Sequence, residues 1–393
     1  MNGEWWSALP PLPLPHEMQQ WDKQAVELGI LPEILMENAA AAAFRQLSAL
    51  CPRLAGKQVW LLMGSGNNGG DAACLARYLL DAGACPHVFH TRPLEHYQNE
   101  TAYHLRTALT CGVPFLPVTA LTETPLPHPD ILVDGLLGTG FSGQLRDDAR
   151  RLVSFVNELS PRPLILSLDV PSGLDATSGL PCPEAVKADM TVSFAAAKPG
   201  LMLPWARPYT GECHVGPIAM PAKVREEGPC SFRLLDGHAL TLLPAMTAAS
   251  YKNTYGHILV MGGRPGMCGA GHLAARGALR SGAGLVTAAM PAAGEDQVRM
   301  GWPEIMTLPL GDPGNRDWPA QLPDDLRQRL HQCRALVIGP GMGRGEDSHA
   351  FLAALLKEPE RPACVFDADA LMLLAGDPAL LAALGPGDIL TPH

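Results

Sequence analysis

The sequence predicts two α/β domains in tandem, each a parallel sheet with helices packed on its faces. Three observations carry this reading. At 393 residues the chain is too long for one ordinary domain. Short runs that are apolar throughout alternate with stretches of helical periodicity, and several of those runs end in a glycine-rich turn. Such strands belong in a sheet buried on both faces, and right-handed crossovers then make it a doubly wound, Rossmann-like sandwich.

The elements follow in order. After a proline-rich lead, residues 16–50 read as helix, ending in the alanine-rich ENAAAAAF. KQVWLLM (57–63) is a strand followed at once by the turn GSGNNGGD. ACLARYLLDAG (73–83) is a helix with Leu75, Ala76, Leu79 and Leu80 on one face. PHVFHT (86–91) is a strand and 95–111 a helix. ILVDGLLGTG (131–140) is a strand running into a glycine loop, and RRLVSFVNEL (150–159) is a helix. PLILSLDVPSG (163–173) and DMTVSFAA (189–196) supply further strands. The segment PAKVREEGPCSFRLL (221–235) has charge and proline but no periodicity, so it reads as a linker between domains at 1–222 and 235–393. The rhythm then restarts with GHILVMGG (256–263), a helix over 271–284, LVTAAM (285–290), ALVIGPGMG (335–343), ACVFDADAL (363–371) and DILTPH (388–393).

Composition narrows the function. Hydrophobic residues make up 47% and charged residues 17%, a globular balance. The net charge of −10 argues against a nucleic-acid backbone or an anionic membrane as partner. It leaves room for a phosphorylated ligand held by backbone amides and helix N-termini. The ten cysteines include no CxxC pair, which points to reduced thiols in a cytoplasmic protein rather than a disulfide framework or zinc site. The lead MNGEWWSALPPLPLPHEM lacks a basic region and is broken by prolines, so no signal peptide is expected. No apolar run reaches the ~18–20 residues of a membrane span.

In an open parallel sheet, ligands bind beyond the carboxyl ends of the strands. Three ends carry unusual residues. Gly64 to Asp71 (GSGNNGGD) places glycines, two asparagines and an aspartate between a strand and a helix. Asp134 ends an apolar strand before LLGTGFSG. Asp169 ends the most apolar strand of the half, before VPSGLD, where an unpaired carboxylate is costly to desolvate. Each aspartate alone is compatible with a cap or a surface charge. Together Asn68, Asp134 and Ser172 make an oxygen-rich set suited to a hard cation.

GSGNNGGDA, VDGLLGTGFSG and LDVPSGLDATSG resemble the signature of the NAD(P)H-hydrate epimerases, the YjeF N-terminal domain family. DKQAVELGILPEILMENAA is similar to that family's opening helix. The resemblance spans about 16–222. It implies that Asn67, Asn68, Gly69, Gly70 and Asp71 contact a hydrated dinucleotide, as do Gly138, Thr139, Gly140, Phe141, Ser142, Gly143 and Gln144. It also implies a potassium ion on Asn68, Asp134 and Ser172, with Asp169 at the reacting centre. Ala72 stands where the family has glycine, and its methyl is expected to narrow the loop.

The second half resembles the ADP- or ATP-dependent NAD(P)H-hydrate dehydratases, whose fold is ribokinase-like. The resemblance rests on YKNTYGHILVMGGRPGMCGAGHLAARGALRSGAGLVTAA, LVIGPGMG, VFDADAL and ILTPH. It implies that Ala270, Gly341, Asp367 and His393 stand near the hydrated nicotinamide and that ADP or ATP is used with magnesium. Asp367 and Asp369 are equally compatible with helix capping. The family's catalytic aspartate lies further on, in a GxGD phrase opening a helix. That phrase is expected to be absent here, so the second domain is expected to be incomplete and inactive.

The whole reads as a bifunctional enzyme of nicotinamide nucleotide repair, taking hydrated NADH or NADPH and compatible with a homo-oligomer. Two rival readings are a ribokinase-like small-molecule kinase, which leaves the first half unexplained, and a non-catalytic binding scaffold, which Asp71, Asp134 and Asp169 oppose.

Overall fold

The computed structural model describes residues 9–243, 247–299 and 302–392. The chain divides into two compact units, Met1–Pro244 and Ala245–His393.

In the first unit the expected helix over 16–50 is two helices, α1 (Pro15–Glu27) and α2 (Pro32–Leu50). Gly29, at φ +93°, and Pro32 interrupt the periodicity and turn the chain. The described strands are β1 (Gln58–Met63), β2 (Cys85–His90), β3 (Phe115–Pro117), β4 (Ile131–Gly135), β5 (Leu164–Leu168), β6 (Met190–Phe194) and β7 (Glu212–Gly216). Between them run α3 (Asn67–Asp81), α4 (Asn99–Thr110) and α5 (Asp147–Glu158). The sheet is parallel throughout, in the order β3-β2-β1-β4-β5-β6-β7. Sequence periodicity missed β3, which is three residues long, and β7, whose side chains are mostly partly exposed.

Alternate residues of β1 face opposite layers. Val59, Leu61 and Met63 pack with Leu75 and Leu79 of α3 and Ala39 and Ala43 of α2. Trp60 and Leu62 pack with Val153 and Val156 of α5. Apolar runs without alternation therefore do mark strands covered on both faces. Strand order reverses between β1 and β4, which opens a crevice at their carboxyl ends, where doubly wound sheets hold ligands.

The segment expected as a linker is folded onto this unit. Ala222–Glu227 is a helical turn, and Phe232–Arg233 pairs antiparallel with Pro11–Leu12. Trp21 Nε1 donates to Pro229 O at 2.9 Å, and Ser231 Oγ donates to Glu17 at 2.6 Å. These long-range contacts leave no local periodicity to read.

The second unit holds a parallel sheet of β8 (His257–Met261), β9 (Leu285–Pro291), β10 (Met306–Leu310), β11 (Ala335–Ile338), β12 (Cys364–Phe366) and β13 (Ile389–Leu390). Its order among the described residues is β10-β9-β8-β11-β12-β13. Helix α6 (Cys268–Arg280) packs on one face through Ala275, and α7 (Glu346–Leu356) on the other through Phe351, Leu352 and Leu355. Helix α8 (Asp369–Gly376) follows β12. No helix among the described residues is long and apolar enough to cross a membrane.

Candidate active site

The crevice of the first unit is a cavity of about 1570 Å³. Its floor is built by the turn after β1. Gly64 has no room for a side chain, since a Cβ there would stand 1.8 Å from Leu136 O. A Cβ on Gly69 would stand 2.1 Å from Gly64 O. The turn is therefore tight enough that Asn67 to Asp71, read from sequence as a loop, form the first turn of α3. Asn67, Asn68 and Asp71 line the cavity, together with Gly138, Thr139, Gly140, Phe141, Ser142 and Gln144. Gly69, Gly70 and Gly143 do not; Gly70 lies under Met36 and Thr101. Ala72 does not narrow the cavity either. It is fully buried, and its methyl sits over Gly135 on β4, whose missing side chain makes the space.

Asp169 lies just past β5 with φ +63°, a left-handed conformation that aspartate tolerates at some cost. That twist presents its carboxylate to Lys198 and Thr139. Lys198 Nζ donates to Oδ1 at 2.5 Å and Thr139 N to Oδ2 at 2.9 Å, while Thr139 Oγ1 donates to Oδ2 as well. Lys198 is 1% exposed and also donates to Ser193 Oγ and Phe194 O, each at 3.0 Å. Burial acts to raise the Asp169 pKa, but the charge and hydrogen bond of Lys198 and the Thr139 bonds hold it below the usual carboxylate range.

Asp71 is the opposite case. It is 7% exposed, and its carboxyl makes no hydrogen bond to another described residue. Burial pushes its pKa well above the usual value, and the charges of Asp169, Asp22 and Glu100 add to the rise. Asp22, on α1, is itself raised to about 6, chiefly by burial. One cavity thus holds a carboxyl pulled below its ordinary pKa and another pushed well above it.

The predicted cation ligands also meet. Asp134 is fully buried and accepts from Ser172 Oγ at 2.5 Å, Ser172 N at 2.8 Å, Ser167 Oγ at 2.9 Å and Leu136 N at 3.3 Å. Burial raises its pKa, and these bonds work against that rise. Asn68 Nδ2 donates to Leu137 O and Leu168 O, at 2.8 and 3.0 Å. Asn68 Oδ1 is buried without a partner. Asn68 and Ser172 meet at Leu137 O, and Ser172 binds Asp134, so an orphaned oxygen in this oxygen-rich group fits a hard cation.

Lys198, Asp22 and Glu100 escaped the sequence reading. Lys198 had a signal, since it follows β6 as Asp134 and Asp169 end or follow β4 and β5. Asp22 and Glu100 had none; they reach the cavity from helices. Elsewhere Glu37, Cys74 and His104 converge from three helices. Arg77 already donates to both Glu37 oxygens and Tyr78 to one, so this cluster is an ion-pair network tying α2 to α3.

In the second unit β8, β11 and β12 lie side by side, which brings their carboxyl ends together. Gly341 has φ +65°, and a Cβ there would stand 2.9 Å from Ala270 Cβ, so these two predicted positions touch. Asp367 follows β12 and makes no side-chain hydrogen bond to a described residue, while Asp369 accepts from Gly343 N at 3.0 Å and Arg344 Nε at 2.8 Å. Asp369 thus ties down the glycine turn rather than capping a helix. His393 lies outside the described residues. Gly385-Pro386-Gly387-Asp388 does spell GxGD, but it leads into β13, and Asp388 is bound to Arg361 at 2.5 Å.

Residues 32–200 match the family model of the YjeF-related protein N-terminus, and residues 258–393 that of NAD(P)H-hydrate dehydratase. The chain is 33% identical over 385 residues to the bifunctional NAD(P)H-hydrate repair enzyme Nnr of Moorella thermoacetica, covering 96% of this chain and 72% of that one. It is 34% identical over 378 residues to the enzyme of the same name from Coxiella burnetii, covering 96% and 73%. The crystal structure of ADP/ATP-dependent NAD(P)H-hydrate dehydratase from Bacillus subtilis, co-crystallised with ATP and Mg2+, is 30% identical. It covers 34% of this chain and 44% of that one, with a TM-score of 0.28.

Proposed function

The chain belongs to the bifunctional NAD(P)H-hydrate repair enzymes, and from that premise we propose that its first unit interconverts the R and S hydrates of NADH and NADPH. Its second unit matches the half that returns the S form to the reduced cofactor with ADP or ATP and magnesium, and in this chain is read as inactive, since the GxGD phrase Gly385 to Asp388 leads into β13 and its aspartate is held by Arg361. The observation that carries the first half is the pairing, in one cavity, of a buried Asp71 without a hydrogen-bond partner among the described residues, its pKa raised, and Asp169 bound by Lys198 and Thr139, its pKa lowered. Environments that drive two acids apart assign one as the acid and the other as the base.

The substrate bears a hydroxyl on ring carbon 6, next to ring nitrogen 1. The proton of Asp71 passes to that hydroxyl, the C6–O bond breaks, and water leaves as the N1 lone pair closes an iminium. Water then adds to the other face of C6 and gives its proton to Asp169. The proton returns to Asp71 through water in the cavity, and nothing is oxidised or reduced. Lys198 keeps Asp169 ionised and Thr139 orients it, so it accepts a proton without reorganising. The free amides at the start of α3, from Asn67 and Asn68, suit the pyrophosphate. Gly138 to Ser142 and Gln144, which line the cavity, suit the nicotinamide end.

Asn68, Asp134 and Ser172 would hold potassium, as the orphaned Asn68 Oδ1 supports. The ion supplies positive charge that fixes three strand-end loops. In the second unit Ala270, Gly341 and Asp367 would face the nicotinamide, and the nucleotide supplies the free energy for loss of the hydroxyl. The ten free cysteines support a cytoplasmic setting.

The test is incubation of the full chain with mixed R and S hydrates in potassium buffer, followed by chiral separation over time, with and without nucleotide. Interconversion without nucleotide is expected, and its absence would remove the epimerase reading.

A further inference from the structure

We infer that Arg92 selects substrates with a phosphate on the adenosine 2′ position, so that the first unit prefers the NADPH hydrate to the NADH hydrate. The inference rests on the epimerase reading and adds a specificity to it.

Arg92 stands two residues past β2, the strand beside β1. The parallel register pairs Met63 with His90, so Thr91 and Arg92 emerge level with the Gly64 turn. Thr91 is fixed there, its N and Oγ1 both donating to Met63 O, at 3.1 and 3.2 Å. His90 Nδ1 lies 2.7 Å from Arg92 O, and Pro93 restricts the next step of the chain. The Arg92 side chain lines the cavity, and its guanidinium has no hydrogen bond or ion pair with any described residue.

In doubly wound dinucleotide sites the end of the strand next to the glycine turn meets the adenosine ribose. A carboxylate there takes the 2′ hydroxyl, and an arginine takes a 2′ phosphate. This chain has His90-Thr91-Arg92 at that point and no acid. The reach fits as well. From β2 across β1 and β4 to β5, where Asp169 marks the reacting end, is three strand spacings, about 14 Å. The start of α3, suited to the pyrophosphate, lies between. Arg146 and Arg151 also line the cavity, but from the α5 side beyond β4, toward the reacting end.

The experiment measures kcat/KM for epimerisation of both hydrates, and the affinities of NADP+ and NAD+ by titration calorimetry. It uses the full chain with Arg92→Ala, Arg92→Lys, Arg146→Ala and Arg151→Ala. A charge-assisted contact to phosphate is expected to be worth roughly 10- to 100-fold. Arg92→Ala should lower the NADPH-over-NADH ratio by that factor, mostly through KM, and should lower the NADP+-over-NAD+ affinity ratio in parallel. Arg92→Lys should recover part of both. An unchanged ratio in Arg92→Ala, or a ratio that moves with Arg146 or Arg151 instead, overturns the inference. The affinity ratio decides the role of Arg92 even if neither hydrate is epimerised, an outcome that counts against the epimerase reading alone.

Discussion

Lys198 Nζ lies 2.5 Å from Asp169 Oδ1, in a position where the lysine is 1% exposed and the aspartate 14%. The two come from the ends of adjacent strands, and the lysine's charge and hydrogen bond hold the Asp169 pKa down. Removing one partner of a buried ion pair leaves an uncompensated charge, a loss of about 3–5 kcal/mol. Lys198→Met is therefore expected to lower thermal stability. It should also raise the Asp169 pKa, so the acid limb of the kcat/KM profile moves to higher pH. Lys198→Arg should restore the limb in part. An acid limb that stays in place in Lys198→Met would mean that Asp169 is not the titrating base.

Asp71 is expected to set the opposite limb. Its pKa is raised, so activity persists above the ordinary carboxylate range and falls as pH rises through the elevated value. Asp71→Asn removes the donated proton and should cost ~10²–10⁴ in kcat. The same substitution should abolish the alkaline limb. The raised pKa also has a stability sign: the native state holds this proton more tightly than the unfolded chain, so stability from Asp71 declines as pH climbs above the unfolded pKa. Asp71→Asn should stabilise the first unit at alkaline pH relative to the unsubstituted chain. Unfolding curves at pH 5 and pH 9 check this, and equal shifts at both would count against a neutral Asp71.

Potassium should raise the melting temperature of the first unit more than sodium does, because the orphaned Asn68 Oδ1 gains a partner. Asn68→Ala should abolish the difference. Asp134 is a poorer probe, because its carboxylate accepts four hydrogen bonds in a fully buried site, and Asp134→Asn disturbs the fold as well as the ion. Identical melting in both salts would leave Asn68 without its proposed role.

Arg361 and Asp388 form a buried pair in the second unit, 10% and 3% exposed. The guanidinium, helped by Gly385 N and Cys364 N, holds the Asp388 pKa down to about 2. A depressed carboxylate contributes stability that is fully present above its unfolded pKa and is lost as pH falls through the folded one. Arg361→Ala should destabilise this unit by about 3–5 kcal/mol near neutrality. The deficit should shrink as pH falls from the ordinary carboxylate range toward about 2. A deficit independent of pH would assign Arg361 a packing role only.

The sequence by itself determined the two parallel α/β sheets, because strands buried on both faces need apolar residues at consecutive positions, as Val59 to Met63 and Ile131 to Val133 show. It also placed Asp134 and Asp169 at the strand ends, since a charge directly after such a run and before glycines has nowhere else to lie. The tertiary structure alone decided the rest. Asn67 to Asp71 became helix instead of loop because the Gly64 and Gly69 backbones pack too closely for any longer turn. The 221–235 segment became part of the first unit through contacts to Trp21 and Glu17, some two hundred residues away in sequence. Above all, Asp71 and Asp169 are the same residue type with opposite pKa shifts. Burial acts to raise both; the ion pair with Lys198 and the Thr139 hydrogen bonds that Asp169 alone makes separate them, and these are through-space contacts that no local pattern of residues contains.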